Sequence, residues 1–81
     1  MNIMTKGFFS LPAELFLGSD RSTALAAGPR HFTTSAKALR FALEQAAPVS
    51  LRGARLRVGS HSYGPAAMGG LYARLAAAKA A

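Results

Sequence analysis

The chain has no cysteine and no tryptophan, and its only acids are Glu14, Asp20 and Glu44, against ten lysines and arginines. Lack of cysteine excludes disulfides and thiolate metal centres. No run of about twenty apolar residues is present, so no helix in the sequence is expected to span a bilayer. The shortage of acids leaves a formal charge of +7. Such an excess attracts polyanions over a distance, in a way that salt screens. It also keeps an alanine-rich chain in solution without any anionic ligand.

At 81 residues there is room for one domain and one small core. Much of the apolar half of the composition is alanine, which buries little area, so stability is modest unless a partner covers some of the surface. The opening "MNIMTKGFFSLPAELFLGSDRSTALA" has the outline of a secretory leader, with Lys6, an apolar stretch and a small-residue Ala24-Leu25-Ala26. Pro12 and Glu14 break the apolar stretch, however, and Asp20 and Arg21 fall where a leader is neutral. The expected location is therefore the cytoplasm.

Residues 1–12 show no clear period and end in a proline, and are read as a flexible end ahead of a single domain over 13–81. "AELFLG" alternates, with Leu15 and Leu17 on one face and Glu14 and Phe16 on the other, as a short strand does. Residues 19–30 are turn-rich and read as a surface loop. "RHFT" is a second short strand. In residues 33–47, Thr34 is placed to cap a helix whose Leu39, Ala42, Leu43 and Ala46 share a face, and Pro48 stops it. In "LRGARLRVG" the alternation sends Ala54, Leu56 and Val58 one way and Arg55 and Arg57 the other. "SHSYG" reads as a loop. Pro65 suits the first position of a last helix carrying Met68, Leu71, Tyr72 and Leu75 on one side, weakened by Gly69 and Gly70 and with a frayed alanine end. The expected fold is α+β: a two- or three-stranded sheet with two helices on one face, in the order β-(β)-α-β-α.

"FTTSAKALRFALEQ", followed by "LRGARLRV" and "GGLYARL", resembles a family of small bacterial proteins with a pattern of the form FxTAxEAIRFAxE, then GAxLEV and a closing LY. "SLPAELFL" is similar to that family's opening. The resemblance implies a compact domain of both helices and strands with no established activity, and it brings no catalytic residues. Lys37 departs from it where the family has Glu, and "GSHSYG" departs where relatives are acidic.

Three carboxylates and two histidines, all far apart in sequence, offer little for acid–base work. Ser60, His61 and Ser62 with Asp20 would make a hydrolytic set only with a nucleophile elbow, which "GSHSYG" lacks. His31 and His61 have no third ligand at metal-binding spacing. "GPAAMGG" lacks the lysine and hydroxyl of a phosphate loop. Neither an enzyme, a metal nor a cofactor is expected.

Six of the ten cations, Arg30, Lys37, Arg40, Arg52, Arg55 and Arg57, lie in a span with one acid, Glu44. Strand geometry aims Arg55 and Arg57 the same way at about 7 Å, a spacing comparable with that of phosphates along a strand. Alternation alone also demands two polar residues there, and arginine fills that need without a ligand. The leading expectation is a non-catalytic interaction or assembly module, its partner unidentified or a second copy that pairs through "AELFLG" across a twofold axis. The alternative is a nucleic-acid or other polyanion binder with Arg52, Arg55 and Arg57 as contacts and Arg30 behind them.

Overall fold

In the computed structural model, which describes residues 3–80, the chain runs α1 (Ile3–Ser10), β1 (Ala13–Phe16), α2 (Arg21–Ala27), β2 (Arg30–Phe32), α3 (Ser35–Arg40), β3 (Arg55–Val58), β4 (His61–Tyr63) and α4 (Pro65–Ala80). A π turn over Phe41–Gln45 and a 3-10 turn over Pro48–Leu51 join α3 to β3. All strand pairs are antiparallel, in the order β2-β1-β3-β4. The α+β class follows the sequence reading, but the described residues hold four strands and four helices rather than two or three strands and two helices.

Alternation builds the sheet. Leu56 is 0% exposed and Val58 3%, with Leu56 directly opposite Leu15 on β1, while Arg57 between them is exposed. The sheet is wider than expected because "GSHSYG" is not a loop. Val58 pairs with His61, which leaves Gly59 and Ser60 as a two-residue turn, and Gly59 takes the positive φ of 62° that such a turn needs at its first position. The residues after the turn therefore return as β4. β1 lies in the interior, hydrogen-bonded to β2 on one side and β3 on the other. This corrects the expectation that "AELFLG" pairs with a second copy, since it has no free edge. The edges are β2 and β4, three residues each.

The helices α1, α3 and α4 cover one face. Thr34 caps α3 as expected, its hydroxyl accepting from the Lys37 amide at 3.2 Å. The π turn closes that helix through a bond from the Ala46 amide to the Phe41 carbonyl, and Pro48 then opens the 3-10 turn. Ala38, Leu39 and Ala42 are buried together with Leu15, Leu56, Met68 and Leu75 in one core. Pro65 is the first residue of α4, which carries its two central glycines because Met68 and Leu75 dock it on this core. The frayed end expected for its final alanines includes residue 81, which lies outside the described residues.

Two segments became helices against expectation. Residues 3–10, within the expected flexible end, form α1, and residues 1 and 2 of that end lie outside the described residues. The buried Ser35 hydroxyl donates to the Phe8 carbonyl at 2.6 Å, and the Phe8 ring meets Tyr63 edge-on at 5.6 Å. Those contacts are tertiary, so no sequence period announced them. Residues 21–27, within the expected loop, form α2. Asp20 caps it by accepting from the Thr23 amide at 2.8 Å, and this bond holds the Asp20 carboxyl below its ordinary pKa. Ala24 is buried against Gly18, and Gly53 lies so close to the Asp20 backbone that a Cβ would overlap it. Gly18 and Gly53 are also joined directly, amide of Gly53 to carbonyl of Gly18, at 2.9 Å.

Candidate interaction surface on the open sheet face

Opposite α1, α3 and α4, strand alternation presents Glu14, Phe16, His31, Arg55, Arg57 and Ser62. Register arranges four of them as a row across the sheet, His31 beside Glu14, Glu14 beside Arg57, Arg57 beside Ser62, with Phe16 beside Arg55 in the next row. The arginines of "RGARLRV" thus meet solvent while Leu56 and Val58 face the helices, as read from the sequence.

At one end of this face the charges are matched. Arg57 donates to Glu14 Oε1 twice, from Nη2 at 2.6 Å and from Nε at 2.9 Å. His31 Nδ1 lies 3.4 Å from Glu14 Oε2. The Glu14 side chain is 26% exposed and those of Arg57 and His31 are 51% and 73%. At that exposure, a pair of this kind adds at most about 1 kcal/mol. A shallow opening of about 580 Å³ lies against the three, with Pro12, Thr33 and Gly59 on its walls. Sequence reading missed this cluster, since alternation tells the face of each residue but not which residue sits opposite. The signal that could have found it is the joint pattern of "AELF" and "RHF" as paired strands.

The other end carries more cations than acids, with Asp20 there accepting from a backbone amide and making no ion pair with an arginine among the described residues. Arg55 is half-buried beside Phe16, and Arg52 and Arg21 are exposed next to the contact between Gly53 and Asp20. Phe16, read as an outward residue, is only 8% exposed: α2 packs against its strand and the Arg57 guanidinium lies 5.8 Å from its ring centre. No aromatic ring on the open face is therefore free to stack on a base, His31 aside.

Of the four candidate contact residues, Arg52 and Arg55 fall at this unmatched end, and Arg57 is held by Glu14. Arg30 is not on the open face. Its register partner is Leu15, and its guanidinium sits 4.7 Å from the Phe41 ring centre on the helical side. The four do not gather into one site.

Each carboxylate has a partner inside the fold. Glu14 binds Arg57, Asp20 caps α2, and Glu44 accepts from the Tyr72 hydroxyl at 2.6 Å. That last bond, with burial second, pushes the Tyr72 phenol above its ordinary pKa. By contrast Arg21, Arg40, Arg52, Arg55 and Arg74 have no carboxylate within ion-pair distance among the described residues. Asp20 and Ser60 lie at opposite ends of β3, one near Gly53 and the other in the turn after Val58, so they do not meet. Among the described residues no group of three or more His, Cys, Asp or Glu is placed to hold a metal, and no helix is long and apolar enough to cross a membrane.

No protein-family model matches the chain, and neither curated proteins nor solved structures give a significant match. The functional reading rests on the residues themselves.

Proposed function

We propose that this chain is a non-catalytic interaction module that receives an anionic partner on the open face of its sheet. The observation that carries the reading is the asymmetry of charge use. All three acids are committed within the fold, while most described cations have no acid to answer them. An anion meeting the open face therefore displaces few internal pairs, and long-range attraction by the whole +7 surface brings it there.

A second copy of the chain is the other occupant considered, favoured by the uncovered face. Two features oppose it. Like charges of +7 repel, and both sheet edges are three residues long, one of them beginning at Arg30 directly after Pro29. Sedimentation at micromolar concentration and moderate salt is expected to give a monomer, and titration with poly-glutamate and with DNA is expected to give salt-dependent binding. A stable dimer with no affinity for either polymer would overturn the reading.

A further inference from the structure

The unmatched end of the open face is built by the backbone. Gly53 packs on Asp20, so Arg52 and Arg21, each one residue from the contact along its own segment, flank it. Arg55 opens β3 two residues beyond Gly53 and faces away from α1, α3 and α4, beside Phe16. The Gly53-to-Gly18 and Gly18-to-Ser50 hydrogen bonds, both 2.9 Å, brace this corner. The one acid here, Asp20, accepts from the Thr23 amide and stays anionic, so the corner holds three arginines against one carboxylate. Three arginines thus lie within two residues of one braced backbone contact, Arg21 next to Asp20 and Arg52 and Arg55 next to and two beyond Gly53, while Arg57 is paired with Glu14 and Arg30 lies on the helical side of the sheet.

Resting on the anionic-partner reading, we propose that Arg21, Arg52 and Arg55 form a contact site for the phosphate backbone of duplex nucleic acid, read without regard to base sequence. Arginine's planar fork suits phosphate oxygens and needs no fitted pocket. An acidic protein is the less favoured occupant. Stable protein interfaces are anchored by a central cluster of apolar or aromatic side chains. Here Phe16 is buried, and the exposed large apolar residues on the elements beside the corner are Leu25 of α2 and Val49 of the 3-10 turn, one on each of two separate segments and neither aromatic. Single strands are less favoured too, because they are held largely by stacking on aromatic rings, while a duplex presents a denser row of phosphates.

The test compares variants of equal charge. Arg52→Ala/Arg55→Ala and Arg30→Ala/Arg57→Ala each remove two cations, and Arg21→Ala/Arg52→Ala repeats the first with exposed residues only. Each is titrated with a short DNA duplex, the matching single strand and poly-glutamate over a range of salt, after circular dichroism confirms the fold. The expected result is duplex binding whose log–log salt slope falls by roughly 0.9 per lost contact, so about 1.8 in the two corner variants. Affinity at about 0.1 M salt then drops on the order of tenfold to a hundredfold. The Arg30/Arg57 variant keeps most of the slope. Equal loss in all three variants overturns the assignment of the corner. Tighter binding of the single strand, or of poly-glutamate in place of the duplex, overturns the duplex backbone as ligand and leaves the anionic-partner reading standing. No binding of any polymer overturns both.

Discussion

Leu56 and Arg57 are consecutive residues of one strand, and the two faces they serve are held by different physics. On the covered face Leu56 meets Leu15 across the ladder and α3 above it, with no exposure, so its worth is the apolar area it takes from water. On the open face Arg57 meets Glu14 in solvent, where desolvation is slight and screening strong. The covered face therefore determines whether the chain folds. Away from Phe16 and the Gly53 contact, the open face is free to differ without unfolding the chain, and such a face suits a binding surface.

Substitutions can break that contrast, and the largest effect belongs to the covered face. Leu56→Ala is expected to cost about 2–5 kcal/mol, read as a lowered midpoint in denaturant unfolding. A loss below about 1 kcal/mol would mean the helices do not seal this face. Next comes Gly53→Ala, whose new methyl group meets the Asp20 backbone rather than a flexible side chain. A loss of about 1–3 kcal/mol is expected by the same measurement, as for overpacking generally. Thr34→Ala removes the cap from α3, and a loss of about 1 kcal/mol is expected.

The open face sharpens the contrast from the other side. Glu14→Gln changes stability by no more than about 1 kcal/mol, but it frees Arg57 and deletes the acid from the row. Affinity for DNA is expected to rise, measured by salt-dependent titration. Reduced affinity would count against an anionic partner on this face, because loss of an acid there can only favour one. The smallest effect lies at the far side of the helical layer. Tyr72 has a raised pKa because its hydroxyl donates to Glu44, so the stabilisation it brings is whole below the ordinary phenol range and is lost as pH climbs through the raised value. Ultraviolet difference titration is expected to show Tyr72 ionising at lower pH in Glu44→Gln than in the parent chain.

What could be read in the sequence had a short period or a local cap. The period of two gave the faces of Leu56, Val58, Arg55 and Arg57, and Thr34 and Pro65 marked helix starts where they occur. β4 was within reach too, since Gly59-Ser60 is a two-residue hairpin signal, but three residues reading His-Ser-Tyr do not look like a strand without a neighbour. α2 was read as part of a loop, because "RSTALAA" holds too few large apolar residues to show a helical face, and the capping role of Asp20 emerges only in the folded chain. α1 left no pattern at all, because what holds it is Ser35 and Tyr63, residues remote in the chain.

By itself, then, the sequence determined the class of fold, the inward and outward sides of its central strands and the surplus of positive charge, because each depends on residue type and spacing within a few positions. Only tertiary structure decided which arginines are matched and which are not. Glu14 reaches Arg57 across 43 positions of chain, and the segments that carry Arg52 and Arg21 meet where Gly53 lies on the Asp20 backbone. Strand register and close packing bring such partners together, and both are properties of the folded whole.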